Sequence, residues 1–127
     1  MIVLDASVLI GYLDGNDAHH VAAEALLAAV VDDDLAASPL TLAEVLVGPA
    51  GDGRVETVLA VLHDLDVVEV PFPADTAPRL ARLRVATGLK MPDCCVLLSA
   101  EVAGATVACL DDRLARAALG VGVPVWG

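Results

Sequence analysis

The stretch that decides the fold is Ile2-Val3-Leu4-Asp5-Ala6-Ser7-Val8-Leu9, at the start of the chain. Its first three residues predict a short buried strand, and the apolar residues after Asp5 predict a helix that follows directly. Further strands are predicted at residues 35–37, 67–70, 106–110 and 121–125, with helical patterns between them. Strands separated by helices favour a mainly parallel sheet. We therefore expect one α/β domain over residues 1–127, with a four- or five-stranded sheet flanked by helices on both faces.

Composition places the chain among compact globular domains. It has 127 residues, of which 57% are hydrophobic and 20% are charged. The longest run without a charged residue, 117–127, has 11 residues, whereas a membrane-spanning helix needs about 20. The first residues lack the basic segment of a secretory signal, so we expect no membrane association and a cytoplasmic location. The three cysteines form neither a disulfide framework nor a zinc motif.

Charge is distributed unevenly along the chain, whose net charge is −11. Residues 1–75 carry 14 acids and one base, whereas residues 76–127 carry four acids and six bases. Phosphate neutralisation by Lys and Arg supplies most non-specific affinity for nucleic acid, so an acidic chain is a poor general binder. Any contact with nucleic acid therefore requires a local basic patch or a bound metal ion.

Several acids fall where an α/β sheet binds its ligands, beyond the carboxyl ends of the strands. Asp5 follows the first predicted strand, and Asp111 or Asp112 follows the strand at 106–110. Asp93 lies at the start of an apolar helix. Taken singly, each of these acids is explained as well by helix capping or by the helix dipole.

Glu44 is harder to explain as an ordinary surface residue. Its neighbours on the same predicted helix face are mostly apolar, and no Lys or Arg occurs in residues 1–53. If Glu44 converges with the other acids, each pair at about 5 Å repels by roughly 3 kcal/mol, which protonation or a cation relieves. Ligands that offer only oxygen suit Mg²⁺ or Mn²⁺, and these ions promote phosphodiester hydrolysis. The residues alone thus predict an acidic divalent-metal pocket with an unspecified substrate.

Four short motifs, in this order and spacing, resemble the PIN domain, and most closely the VapC toxins of bacterial toxin–antitoxin pairs. They are residues 2–9, Leu42-Ala43-Glu44-Val45, Pro92-Asp93 before an apolar helix, and Leu110-Asp111-Asp112-Arg113-Leu114. The resemblance covers essentially the whole chain. It implies a Mg²⁺- or Mn²⁺-dependent endoribonuclease that acts on an RNA substrate, is inhibited by a VapB-like antitoxin and forms a homodimer.

The resemblance also implies roles for individual residues. Asp5 and Asp93 would hold the principal metal, and Glu44 and Asp111 would complete its shell or place the water, with Asp112 as the alternative to Asp111. Ser7 matches the supporting hydroxyl residue, and Arg113 and Arg116 are the candidates for RNA contact, unless they are solvated helix residues. The sequence departs from the family at Cys109, where many members carry Thr or Ser. A hydroxyl contact is therefore in doubt at that position.

Two other functions compete with this one. The chain could be a catalytically inactive PIN-like module that binds protein or RNA, with the acids serving as helix caps. That reading predicts that a chelator has no effect. A phosphoryl-transfer domain is disfavoured, because the first strand ends in Asp5-Ala6-Ser7 rather than in paired acids, and because Lys90, the only lysine, precedes a helix.

Overall fold

Four short strands and seven helices alternate along residues 1–127 of the computed structural model. The strands are β1 (Ile2–Leu4), β2 (Leu35–Ala37), β3 (Val67–Glu69) and β4 (Thr106–Ala108). The helices are α1 (Ala6–Leu13), α2 (His20–Ala29), α3 (Pro39–Gly51), α4 (Val55–Asp64), α5 (Thr76–Thr87), α6 (Met91–Ala103) and α7 (Asp112–Gly120). No helix has the length and apolar character needed to cross a membrane.

All four strands are parallel and lie in the order β3-β2-β1-β4. Ile2 of β1 lies opposite Leu35 of β2 on one side and Thr106 of β4 on the other. Strands β2 and β3 therefore follow β1 on one side of it, and β4 pairs with β1 on the opposite side. Adjacent loops diverge at such a switch point and leave a crevice at the carboxyl ends of the two strands. The loops after β1 and β4 border this crevice.

The sheet has four strands, because residues 121–125 do not form the predicted fifth. Only Val125 pairs there, in a single parallel bridge with Val107. Val107 donates its N–H to the Pro124 carbonyl at 2.9 Å, and Trp126 donates to the Val107 carbonyl at 2.8 Å. Pro124 has no N–H of its own, and Gly122 has a positive φ of 82°, so the tail cannot continue as a regular strand.

The core consists of two apolar layers, one on each face of the sheet. Alternate residues of a strand point to opposite faces, so Val3 joins one layer while Ile2 and Leu4 join the other. The layer around Val3 is completed by residues of α5, α6 and α7, and the layer around Ile2 by residues of α1 to α4. The predicted coverage of both faces is confirmed.

Helix starts cluster at the carboxyl edge of the sheet. Asp5 caps α1 and Asp111 caps α7, each through its side chain. Gly88 ends α5 with a φ of 69°, a left-handed conformation that glycine adopts without a Cβ penalty. The resulting tight turn brings the start of α6, which carries Asp93, close to the ends of β1 and β4.

Candidate metal centre

Asp5 is the most deeply buried acid of the chain, with 5% of its surface exposed. Its Oδ1 accepts a hydrogen bond from the Val8 N–H at 3.2 Å, and the Ser7 hydroxyl lies 2.8 Å from both carboxylate oxygens. These hydrogen bonds favour the charged form. Burial nevertheless dominates and raises the pKa of Asp5 from 3.8 to about 6.

Two further acids lie close enough to act on the charge of Asp5. After burial, the charges of Asp93 and Asp111 also raise the pKa of Asp5. The pKa of Asp93 is itself raised, first by burial and then by the charge of Asp111. The structure therefore places three of the four predicted acids within electrostatic range of one another, at the end of β1, the start of α6 and the loop after β4.

Glu44 approaches the same region from α3 but remains separate from this group. It is half-buried, and its Oε1 is buried without any hydrogen-bond partner. Glu44 lies near Cys95 of α6. The pKa of the Cys95 thiol is raised mainly by burial, then by the charge of Cys94, and then by the charge of Glu44. It is not among the charges that shift the pKa of Asp5 or Asp93. An unpartnered buried carboxylate oxygen is costly, so a partner for the Glu44 oxygen would stabilise the folded chain.

The two adjacent acids after β4 are both exposed but make different contacts. Asp111 is the N-cap of α7, and its Oδ1 accepts from the N–H groups of Arg113 at 2.8 Å and Leu114 at 3.3 Å. Asp112 is the first residue of α7 and is exposed, and its side chain makes no hydrogen bond. Only Asp111 is among the charges that act on Asp5 and Asp93.

Helix capping describes Asp5 and Asp111 correctly but does not account for the charge at Asp5. Ser38 caps α3 with a neutral hydroxyl, which accepts from the Thr41 N–H at 3.0 Å. A neutral side chain therefore suffices as a cap in this same fold. An ionised cap at Asp5 adds burial of charge and repulsion from two neighbouring acids, both of which oppose folding.

The donor set fits a hard divalent cation. Asp5, Asp93 and Asp111 offer carboxylate oxygens at the carboxyl edge of the sheet, and the Glu44 oxygen without a partner lies on α3. In the present side-chain arrangement, no three His, Cys, Asp or Glu groups are placed to hold a metal ion together. Asp111, for example, is engaged in capping α7. Binding of an ion at this edge would therefore require these carboxylates to move closer together.

Cys109 lies beside the acids, at the position where the family often has a hydroxyl residue. Its Sγ donates to the Asp111 carbonyl at 3.4 Å. Burial, followed by the charges of Asp5, Asp111 and Asp93, raises the pKa of Cys109 to about 11 despite that hydrogen bond. The group is thus a neutral thiol at neutral pH, and it replaces a hydroxyl donor with a weaker one.

Of the two basic residues that the sequence favoured, Arg113 acts on the charge of Asp93 and Arg116 is not among the charges that do. Lys90 and Arg113 both lower the pKa of Asp93, against the larger effects of burial and Asp111. Arg116 bonds to the carbonyl of Asp112 on its own helix at 3.4 Å. Lys90 was not among the candidates for RNA contact, although it precedes Asp93 by only three residues.

Comparison with known proteins identifies the family. The PIN domain model matches residues 2–119, so the chain belongs to the PIN domain family. No curated protein sequence matches the chain significantly.

Solved structures share the fold at low sequence identity. VapC20 of Mycobacterium tuberculosis, a toxin that cleaves the sarcin-ricin loop, superposes with a TM-score of 0.75 at 18% identity, over 92% of this chain and 95% of that one. The structure of FitAB bound to an IR36 DNA fragment superposes with a TM-score of 0.74 at 20% identity, over 99% of this chain and 94% of that one. FitAcB of Neisseria gonorrhoeae superposes with a TM-score of 0.71 at 20% identity, over 100% of this chain and 97% of that one. At these identities the similarity establishes the fold alone.

Proposed function

We propose that this protein is a Mg²⁺- or Mn²⁺-dependent endoribonuclease and the toxin of a VapBC-type toxin–antitoxin pair. The observation that carries the proposal is the buried carboxyl of Asp5, with Asp93 and Asp111 beside it at the switch point of the sheet. Membership of the PIN family supports a nuclease. The fold shared with a toxin that cleaves the sarcin-ricin loop is consistent with RNA as the substrate.

Each residue of the site has a distinct part in this proposal. Asp5 and Asp93 would hold the principal ion, and Glu44 and Asp111 would complete its shell or place the attacking water. The Ser7 hydroxyl orients the Asp5 carboxylate. Its hydrogen bond also lowers the pKa of Asp5, which partly offsets the effect of burial. When bound, the ion supplies positive charge that activates water and stabilises the charge on the phosphate.

The reaction is hydrolysis of an RNA phosphodiester bond. Water attacks phosphorus in line with the 3′-oxygen, the bond between phosphorus and that oxygen breaks, and the leaving oxygen takes up a proton. The products are a 5′-phosphate and a 3′-hydroxyl. Arg113 acts on the charge of Asp93 while Arg116 bonds to the Asp112 carbonyl of its own helix, so Arg113 is the better placed of the two to contact the RNA backbone.

The proposed partners are a VapB-like antitoxin and a second copy of this chain, in the cytoplasm. Val21 of α2 is 80% exposed and Ile10 of α1 is 36% exposed, so this helical hairpin presents apolar surface. Apolar surface of this kind favours docking of an antitoxin segment or of the second copy. Leu26 of α2 is buried in the core and does not contribute to this surface.

RNA cleavage by matched variants tests the proposed function. With Mn²⁺ present we expect wild-type protein to cut RNA and leave 5′-phosphate ends, and EDTA to stop the reaction. Asp111→Asn should reduce the rate by at least about 100-fold, since loss of a group that acts on the transition state typically has this effect. Asp112→Asn, which removes the same charge one residue away, should retain cleavage.

The alternative of an inactive binding module makes the opposite prediction. Wild-type protein would bind RNA or protein without cutting, and EDTA would change nothing. Equal loss of cleavage in the Asp111→Asn and Asp112→Asn variants would also contradict the assigned fourth acid.

A further inference from the structure

The turn between α5 and α6 carries a concentration of positive charge in an otherwise acidic molecule. Arg84, in the last turn of α5, donates its Nη1 to the Leu89 carbonyl at 2.9 Å. Arg113, from the first turn of α7, donates its Nη2 to the neighbouring Gly88 carbonyl at 3.3 Å. Lys90 is the next residue along the chain and precedes α6. Two guanidinium groups and one ammonium group thus gather around a three-residue turn, 88–90.

These three cations form no close ion pair with an acid. None of them forms an ion pair within 4.0 Å, whereas Arg54 and Arg79 do so with Asp52, Asp75 and Glu101. The side chains of Arg84 and Arg113 donate only to neutral backbone carbonyls, and the Lys90 side chain makes no hydrogen bond. A guanidinium has five N–H donors, so Arg84 and Arg113 each keep most of their donors for another acceptor. The fork geometry of those donors matches a phosphate.

The cluster adjoins the acidic crevice rather than lying elsewhere on the surface. Lys90 and Arg113 both act on the charge of Asp93. Arg113 follows Asp111 by two residues, and Lys90 precedes Asp93 by three. A phosphate bound by these cations would therefore lie beside the acids that are proposed to hold the metal.

We propose that Arg84, Lys90 and Arg113 form a phosphate-binding subsite that seats the RNA backbone next to the bond to be cut. The inference rests on the proposed ribonuclease function for the identity of the strand. It explains how a chain with a net charge of −11 approaches a polyanion, because attraction is needed only along the path that leads to the crevice. Contacts of this kind position the strand without reading its sequence.

Arg82 provides a matched control on the same helix. It precedes Arg84 by two residues, which places it about 200° around the axis. There it lines a separate cavity of about 300 Å³ with Arg79, Leu83, Ala86 and Glu101. Arg82→Gln changes the net charge by as much as each subsite variant, so it separates a local effect from a general electrostatic one.

Binding of a fluorescein-labelled uridine oligonucleotide, followed by anisotropy in EDTA, tests the subsite without cleavage. We expect Arg84→Gln, Lys90→Gln and Arg113→Gln each to weaken binding by about two- to fivefold. Each variant should also lower the dependence of log affinity on log salt concentration by about 0.7. Arg82→Gln should leave both quantities within error of the wild type. In Mn²⁺, the subsite variants should raise KM for cleavage.

The outcomes separate this inference from the nuclease proposal. If RNA binds through these cations but is not cut, the subsite stands and the nuclease function fails. If RNA is cut normally by all three variants, the nuclease stands and the subsite is overturned. A loss as large in Arg82→Gln overturns it too, because net charge alone then explains binding. Displacement of RNA by polyglutamate at equal charge concentration would assign the patch to an acidic protein segment and overturn it as well.

Discussion

Replacing Asp5 by Asn is expected to stabilise the protein at neutral pH. Burial is the main reason that the pKa of Asp5 rises from 3.8 to about 6. A raised pKa means that the folded state favours the protonated carboxyl. The contribution of Asp5 to stability is therefore fully present below pH 3.8 and is lost as pH rises through about 6. Asn mimics the protonated form and can still accept from Val8 and Ser7, so it retains this stability at every pH.

The size of the effect follows from the two pKa values. A difference of roughly two pKa units corresponds to about 3 kcal/mol at pH 7 to 8 and to about 1.5 kcal/mol at pH 5. Urea denaturation followed by circular dichroism, in EDTA between pH 5 and 8, measures the free energy of unfolding. We expect the variant to exceed wild type by these amounts, with the gap widening as pH rises. Asp93 keeps its own raised pKa, so both proteins retain some further dependence on pH.

Asp112→Asn is the control for loss of one negative charge at the same edge of the sheet. Asp112 is exposed, so this change should move the free energy of unfolding by no more than about 0.5 kcal/mol. An Asp5→Asn protein that is less stable than wild type at pH 7, or a gap that stays constant with pH, would refute the reasoning. Asp5 would then be an ordinary ionised helix cap.

The remaining predictions concern the support of Asp5 and the packing of α1 on α2. Ser7→Ala removes a hydrogen bond that lowers the pKa of Asp5. It should weaken Mn²⁺ binding about tenfold in calorimetry, and Ser7→Thr should restore the affinity. Equal binding by Ser7→Ala and the wild type would contradict the role given to the hydroxyl. A Cβ at Gly11 would lie 3.1 Å from the Ala23 Cβ and 3.3 Å from the His19 carbonyl oxygen. Gly11→Ala should therefore lower the free energy of unfolding by about 1 kcal/mol in urea melts, whereas Gly48→Ala, with nothing within 4 Å, should raise it slightly.

The fold was predictable because its signals are local. Apolar runs and their spacing located all four strands and the helices between them, and parallel winding follows from that alternation. The tail at 121–125 misled the prediction, since its valines resemble a strand while Gly122 and Pro124 prevent regular pairing. Whether a proline prevents strand pairing at the edge of a sheet depends on whether its position must donate an N–H to the neighbouring strand. The apolar periodicity of the sequence does not contain that information.

The candidate site was predictable in part. The position of Asp5 and Asp111 after neighbouring strands follows from topology, and the structure places both beside Asp93. The apolar surroundings of Glu44 correctly indicated an oxygen without a local partner. Its proximity to Cys95, and the convergence of Arg84 and Arg113 on one turn, depend on packing between elements distant in sequence. No pattern within a single helix encodes such contacts.

Calorimetric titration of Mn²⁺ into the purified protein, free of any antitoxin, tests the central claim most directly. The account predicts saturable binding by wild-type protein and loss of that binding in Asp93→Asn, with the variant still folded. Absence of binding by the wild-type protein, even with a non-cleavable RNA oligonucleotide present to supply phosphate oxygens, would contradict it. The acids at the switch point would then be helix caps, and an RNA- or protein-binding module would be the better description of this PIN domain.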